Sequence, residues 1–198
     1  GKRVAVLGFG VSNRPLVRML ADSKECLSVA VYDKKPLEEL GEEAMELASL
    51  GVSFYKGFEN LTADIIFRSP GIRPDIPEIL SALSNGAMLT SEMESFLKYT
   101  RASTFAVTGS DGKTTTTTLT GKFLSETART FVGGNIGTPL LDKCDEMTDA
   151  DYAVLELSSF QLMNMGVSPN NVAITNISPN HMDWHRTEQE YAEAKFNI

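Results

Sequence analysis

The sequence predicts an α/β fold made of two domains, each built on a parallel sheet. Short apolar runs alternate with amphipathic stretches, glycine-rich loops follow two of these runs, and the alternation restarts after residue 103. Strand, helix, strand order of this kind favours parallel sheets with right-handed crossovers. We therefore expect a first domain over residues 1–99 and a second over residues 100–198.

The elements of the first domain follow from hydrophobic periodicity. Apolar runs at residues 4–7, 27–32, 52–55 and 65–67 predict strands buried on both faces, each bounded by Gly, Asp or Pro. Between the second and third runs, apolar residues every three or four positions across residues 37–47 predict a helix with a glutamate-rich solvent face. Ser91 and Glu94 have capping-box spacing, which predicts a closing helix over residues 92–99.

The second domain is expected to repeat this alternation. Strands are predicted over residues 105–108, near residue 131, and over residues 152–157 and 172–176, with helices over residues 113–126 and from about residue 187. The last helix runs to Ile198 without a Gly or Pro stop. The interpretation is that this domain is truncated.

Composition limits the classes of function. The formal net charge is -8, and the 18 Lys and Arg residues are scattered, which disfavours duplex nucleic acid as a partner. The absence of a long apolar run and of a leader-like start predicts a cytoplasmic protein with no membrane partner. Cys26 and Cys144 lie far apart without CxxC spacing, which is typical of a reducing compartment.

The first glycine loop, VLGFGVSN, lies between a predicted strand and a predicted helix. Gly8 and Gly10 permit a tight turn and close approach to phosphate, and Asp33 ends the next strand, where a ribose partner would lie. Asn13 replaces the third glycine of a dinucleotide fingerprint, which weakens the NAD interpretation. A second loop, SPGI from Ser69, converges on the same crevice, although tight turns without a ligand remain the alternative.

The second glycine loop, TGSDGKTTT, lacks the glycine that the common Walker pattern would place at residue 107. In its compressed form, backbone N–H groups freed by Gly109 and Gly112 can point at phosphate oxygens. Lys113 can neutralise phosphate charge, and the Thr114 hydroxyl can bind magnesium. A threonine-rich strand is disfavoured, because two glycines and an aspartate directly precede the threonines.

Further candidates lie at the ends of the later strands. Glu156 ends an apolar strand, where it either binds magnesium beside the phosphate loop or forms a salt bridge. His181 is either functional or hydrogen-bonded within the fold, and His185 is expected to be structural or on the surface. Asn135 is a turn residue or a substrate contact. Without a family context, Lys195 would be expected to be a surface helix lysine.

The ordered stretches GFGVS, SPGI, TGSDGKTTT, VGGNIG, LELSSFQL, NHMDWH and YAEAK resemble the Mur ligases of peptidoglycan synthesis. TGxxGKTT and HMD with a downstream lysine are also typical of folate polyglutamate synthases, whereas LELSSFQL, SPGI and GGNIG resemble the D-glutamate-adding branch. The resemblance implies a Rossmann-like UDP-sugar domain followed by a truncated P-loop-type ATP-binding domain, with the family's C-terminal domain absent. Arg14 beside Asn13, and Asn180 before the histidine, depart from the family pattern.

The resemblance also implies a role for each candidate. The cofactors would be ATP and Mg²⁺, with a phosphate loop comprising Gly109, Ser110, Asp111, Gly112, Lys113, Thr114 and Thr115. The UDP-sugar site would include Ser12, Asn13, Asp33, Lys34, Ser69 and Gly71. Substrate contacts near the reacting carboxylate would be Asn135, Ser158, Gln161 and His181. The catalytic residues would be Lys113, Glu156, His181 and Lys195. The metal ligands would be Thr114, Glu156, His181 and Lys195, the last carbamylated by CO₂.

The implied reaction is phosphoryl transfer from ATP to the carboxylate of UDP-N-acetylmuramoyl-L-alanine, followed by attack of the D-glutamate amine on the acyl phosphate. These 198 residues are expected to form a monomer that binds substrate but does not complete the reaction. The alternatives are another Mur or folate-type ligase and a nucleotide-binding module without chemistry. A dehydrogenase is the weakest alternative because it leaves the second glycine loop unexplained.

Overall fold

The computed structural model describes residues 1–198 and divides them into two compact units, Gly1–Glu92 and Met93–Ile198. Each unit contains one all-parallel sheet flanked by helices, which confirms the predicted α/β fold. The helix predicted over residues 92–99 is present as Glu92–Tyr99 and spans the boundary between the units. The domain limits at residues 99 and 100 therefore stay a prediction.

The first unit has five strands in the order β3-β2-β1-β4-β5. The strands are β1 (Lys2–Leu7), β2 (Cys26–Asp33), β3 (Ser53–Lys56), β4 (Ile65–Arg68) and β5 (Met88–Thr90). The helices are α1 (Asn13–Asp22), α2 (Glu42–Ser49) and α3 (Pro77–Ser84), and α4 (Glu92–Tyr99) begins at the last residue of this unit. Because the order reverses at β1, the loops after β1 and β4 lie side by side at the switch point where open α/β sheets bind ligands.

The second unit has four strands in the order β7-β8-β6-β9. The strands are β6 (Ser103–Thr108), β7 (Thr130–Gly134), β8 (Tyr152–Glu156) and β9 (Asn171–Ile174). The helices are α5 (Lys113–Ser125), α6 (Ser159–Leu162) and α7 (Glu188–Phe196). Strand β6 lies between β8 and β9, so the loops that follow these three strands share one edge of the sheet.

Two expectations about the elements are wrong. The helix predicted over residues 37–47 is a 3-10 turn, Leu37–Glu39, followed by α2, because Gly41 between them adopts a φ of 94°. Strand β3 is largely exposed rather than buried on both faces, since it forms a sheet edge. Strand β9, for which the sequence predicts no burial, also lies at a sheet edge and is exposed along its whole length. None of the helices combines the length and apolar character needed to cross a bilayer.

Candidate nucleotide sites

A cavity of about 470 Å³ opens at the carboxyl ends of β1, β2 and β4 in the first unit. This volume suits a small-molecule ligand. Five of the residues expected at a UDP-sugar site line it: Ser12, Asp33, Lys34, Ser69 and Gly71. Lys35 also lines the cavity, so two adjacent lysines give it positive charge.

The loop after β1 depends on a glycine at its start. Gly8 has a φ of 87°, and a Cβ there would lie 2.7 Å from the Ser69 Oγ. The next residue, Phe9, donates its backbone N–H to Asp33 Oδ2 at 2.7 Å, and Asp33 Oδ1 accepts the N–H of Lys35 at 2.9 Å. The Asp33 carboxylate therefore fixes the cavity loops through both of its oxygens.

Asn13 lies beneath this cavity and is not one of its lining residues. Its side chain is 1% exposed, and its amide donates to the Gly8 carbonyl at 2.9 Å and to the Ser69 Oγ at 3.0 Å. The family resemblance predicts Asn13 among the residues of the UDP-sugar site. In the structure it contacts both cavity loops from below.

The loop after β4 is organised by Arg68, which was not among the site residues predicted from the sequence. The buried Arg68 guanidinium donates through Nη1 to the carbonyls of Ser69 at 3.3 Å, Pro70 at 3.2 Å and Ile72 at 2.6 Å. Burial, and then repulsion by Arg73, lower the pKa of Arg68 to about 10. The only signal in the sequence was a basic residue directly before SPGI.

The second glycine loop connects β6 to α5, which begins at Lys113. Gly109 has a φ of 146°, and a Cβ there would overlap the Thr175 Oγ1, so this position requires glycine. Lys113 Nζ donates to the carbonyls of Gly109 at 2.8 Å and Ser110 at 2.9 Å. The Lys113 side chain therefore lies over the loop that is predicted to bind phosphate.

A carboxylate joins this loop to the neighbouring strands. Glu156, at the end of β8, is 2% exposed, and its Oε2 accepts the Thr114 hydroxyl at 2.7 Å. Its Oε1 accepts the Asn135 amide at 2.9 Å. The structure thus brings three predicted site residues together, and the salt-bridge alternative for Glu156 is wrong because its partners are a hydroxyl and an amide.

Lys195 is buried against the same loop rather than lying on the surface. Its side chain is 2% exposed, and Nζ donates to the Gly109 carbonyl at 2.8 Å. Burial, and then the charge of Lys113, lower the pKa of Lys195 to about 8. Tyr191 places its ring 4.7 Å from the Lys195 Nζ and its hydroxyl 2.9 Å from the Ser110 Oγ. Tyr191 was not among the site residues predicted from the sequence.

The remaining candidates occupy α6 and the segment before α7. Ser158 and Gln161 are buried and form a reciprocal capping box at the start of α6. His181 is exposed, has a φ of 56°, and lies with its ring 5.0 Å from that of Phe160. His185 is buried with Nε2 2.9 Å from the Ser159 Oγ, which agrees with its expected structural role.

The residues around the second loop offer part of a magnesium site. The Thr114 hydroxyl and the Glu156 carboxylate are hard oxygen donors in mutual contact, which suits Mg²⁺. The chain gathers no group of three or more His, Cys, Asp or Glu side chains that could hold a metal ion. Lys195 would add oxygen donors only as a carbamate.

A cavity at a sheet switch point and a lysine-containing glycine loop facing a strand-end carboxylate define a two-unit protein with the features of nucleotide binding. The family model described as the MurD N-terminal domain matches residues 3–77, and the one described as the Mur ligase middle domain matches residues 107–198. The chain belongs to the Mur ligase family.

Curated relatives extend this similarity across the whole chain. The chain is 53% identical to UDP-N-acetylmuramoylalanine--D-glutamate ligase of Ruminiclostridium cellulolyticum over 202 aligned residues, covering all of this chain and 43% of that protein. It is 52% identical to the ligase of the same name from Clostridium botulinum strain Hall, covering 44% of it. The chain therefore spans less than half the length of these relatives.

Solved structures support the fold at lower identity. The UDP-N-acetylmuramate:L-alanyl-gamma-D-glutamyl-meso-diaminopimelate ligase of Neisseria meningitides matches with a TM-score of 0.55 and 16% identity, over 99% of this chain and 67% of that one. The UDP-N-acetylmuramate-alanine ligase MurC of Thermotoga maritima matches with a TM-score of 0.52 and 23% identity, and the match covers 100% of this chain and 47% of that one. At these identities, the matches indicate a shared fold.

Proposed function

We propose that this chain is the nucleotide-binding part of an ATP-dependent ligase that joins D-glutamate to UDP-N-acetylmuramoyl-L-alanine in peptidoglycan precursor synthesis. The observation that carries the proposal is the contact between Thr114 of the phosphate loop and Glu156, with Lys113 and Lys195 on the same loop. The names of the relatives that are 52% and 53% identical supply the substrates.

In the proposed site, the glycine loop and Lys113 bind the ATP phosphates. Lys113 Nζ exchanges its bonds to the Gly109 and Ser110 carbonyls for phosphate oxygens, and the loop N–H groups donate to the same charge. Thr114 and Glu156 would hold Mg²⁺, which neutralises charge on the transferring phosphoryl group. The Asn135 amide fixes the orientation of Glu156 through its second oxygen.

Lys195 is proposed to become a carbamate. Its pKa of about 8 gives a neutral amine fraction near neutral pH, and the neutral amine is the nucleophile. Its nitrogen lone pair forms the new bond to CO₂, one N–H proton leaves to solvent, and an anionic carbamate results. This product would contribute oxygen donors beside Thr114 and Glu156. His181 is proposed as a further ligand on the HMD resemblance.

The UDP-sugar is proposed to occupy the cavity of the first unit. Lys34 and Lys35 supply positive charge for its diphosphate, and Ser12, Ser69 and Gly71 line the same space. Ser158 and Gln161 remain proposed substrate contacts through family resemblance. The protein is also proposed to act in the cytoplasm as a monomer, and D-glutamate is proposed to bind to the third domain that the family resemblance implies. These 198 residues alone are therefore proposed to bind the nucleotides without completing the reaction.

Binding of ATP with Mg²⁺ to the Glu156→Gln variant tests the phosphate and magnesium assignment. The substitution keeps the side-chain shape but removes the charge, so ATP affinity in the presence of Mg²⁺ should fall about tenfold, and affinity without Mg²⁺ should change little. Glu126→Gln, at the exposed end of α5, is the matched control and should bind as the parent chain does.

A nucleotide-binding module without chemistry is the second candidate function. It would bind ATP with equal affinity in the parent chain and in Glu156→Gln, with or without Mg²⁺. That result would contradict the ligase assignment.

A further inference from the structure

The Asn13 side chain contacts both loops that line the first-unit cavity. Its Nδ2 donates to the carbonyls of Leu7 at 3.4 Å and Gly8 at 2.9 Å, and to the Ser69 Oγ at 3.0 Å. The side chain is 1% exposed. A dinucleotide fingerprint would have a glycine here, which serves close packing of helix on strand. In this chain, the position instead holds an amide with three acceptors around its nitrogen.

The neighbouring carbonyls determine which way this amide faces. Leu7 and Gly8 both present carbonyl oxygens to it, so an amide oxygen at the same point would be repelled, and the nitrogen must face them. The same nitrogen therefore donates to Ser69 Oγ, and the Ser69 hydroxyl acts as acceptor on that side. The hydrogen of the Ser69 hydroxyl is therefore available to another acceptor.

The Ser69 hydroxyl has only a long alternative acceptor within the protein. The Gly8 carbonyl lies 3.5 Å from Ser69 Oγ, at the limit of a hydrogen bond. Ser69 also lines the cavity together with Lys34 and Lys35, at the sheet edge where α1 begins. An anionic oxygen in the cavity would be a stronger acceptor than this distant carbonyl.

We propose that Asn13 is a positioning residue that holds Ser69 so that its hydroxyl donates to a diphosphate oxygen of the bound nucleotide. The inference rests on the proposed function, which places a UDP-sugar in this cavity. Asn13 acts from beneath the loops and does not touch the ligand. Its effect on binding must therefore pass through Ser69 and the loop backbone.

A double-mutant cycle tests this route. Asn13→Ala and Ser69→Ala should each weaken binding of UDP-N-acetylmuramoyl-L-alanine about tenfold, as expected for loss of a hydrogen bond to a charged group. The double variant should bind no more weakly than the weaker single variant, because both remove the same interaction. Uridine, which has no diphosphate, should bind all four proteins equally. Asn85→Ala is the matched control, since the Asn85 amide donates only to Ser81 within its own helix end.

Additive losses in the double variant, or parent-like binding by Asn13→Ala, would overturn the proposal. Hydrogen exchange of the ligand-free proteins gives a second test. Asn13→Ala should accelerate amide exchange in residues 8–12 and 69–72 and leave strand β1 protected, and unchanged loop exchange would also overturn the positioning role. If Asn13→Ala does not fold, Asn13→Ser replaces it in both measurements. Failure of the parent chain to bind any UDP nucleotide would instead contradict the proposed function, while the exchange result would still decide whether Asn13 holds the loops.

Discussion

At the scale of single residues, the ammonium group of Lys195 has the most unusual environment. It is buried beside a second lysine, Lys113, and its pKa is lowered to about 8 from 10.5, first by burial and then by that neighbouring charge. A lysine in this state is partly neutral at a pH where exposed lysines are fully charged. This property connects the packing of α7 to the chemistry proposed at the phosphate loop.

Removal of the neighbouring charge should raise the pKa of Lys195. In Lys113→Met, the charge repulsion is lost but burial remains, so the pKa should rise above about 8 and stay below 10.5. Titration of the ¹³C-labelled lysine ε-carbons by NMR measures this, with the exposed Lys122→Met as control. A Lys195 pKa that is the same in the parent chain and in Lys113→Met would contradict this electrostatic account.

Gly134 is the residue whose replacement should most disturb the geometry of Glu156. Its φ is 98°, and an added Cβ would overlap the Glu156 carbonyl oxygen, a backbone atom that cannot rotate away. Gly134→Ala should lower the free energy of unfolding by about 2–4 kcal/mol. Urea denaturation measures the change. Gly166→Ala is the control, because its Cβ would meet only the Glu94 Oε1 at 3.4 Å; equal losses in the two variants would refute the prediction.

The site residues that could be predicted from the sequence are those that lie in local sequence patterns. The neighbourhood of Lys113, Thr114 and Glu156 follows from a glycine loop and a strand end, both readable within a few positions. The burial of Lys195 depends on a long-range contact, because its Gly109 partner lies 86 positions away in the sequence, and no local pattern reports such a contact. The motif that predicts Asn13 at the UDP-sugar site does not report whether its side chain lines the cavity or packs beneath it.

At the scale of secondary-structure elements, an ion pair connects the starts of β1 and β4. Asp64 accepts the backbone N–H of Arg3 at 2.8 Å and pairs with its guanidinium at 2.8 Å. The side-chain hydrogen bond from Arg3 is the main cause that lowers the pKa of Asp64 from 3.8 to about 2. The central strand pair of the first unit is therefore held at its amino end by a carboxylate that must be ionised.

The pH dependence of stability follows from the direction of this shift. Because the folded pKa lies below the unfolded one, the pair stabilises the fold fully above about pH 4, and this contribution is lost as the pH falls towards 2. Asp64→Asn should therefore remove part of the acid-induced loss of stability. Urea unfolding from pH 6 to pH 2 measures it, with exposed Asp22→Asn as control. Parallel curves for the parent and Asp64→Asn would contradict the account.

Apolar runs located most strands, but they could not show which strands lie at sheet edges. Strands β3 and β9 have apolar sequences like those of central strands, yet both are exposed, because strand order is set by long-range pairing. Strand β5 was not predicted, because it has only three residues and its hydrophobic pattern is too short to recognise. Gly41 could have indicated the break before α2.

At the scale of the whole molecule, the two units carry sites of different character. The first unit has an open cavity lined by two lysines. In the second unit, Lys113 and Lys195 donate hydrogen bonds to carbonyls of the glycine loop, and Thr114, which follows the loop, contacts the buried Glu156 carboxylate. The order of the motifs predicted the family, because the motifs are distributed along all 198 residues. The GxG loop of the first unit does not distinguish a UDP-sugar from a dinucleotide, since dinucleotide-binding proteins have the same loop.

The most direct test is calorimetric titration of this chain with UDP-N-acetylmuramoyl-L-alanine, with NADH and a plain UDP-sugar titrated in parallel. The account predicts saturable binding of the muramoyl nucleotide, weaker binding of the plain UDP-sugar, and no heat of binding for NADH. Binding of NADH without binding of the muramoyl nucleotide would contradict it, because the cavity at Gly8 and Ser69 would then be a dinucleotide site.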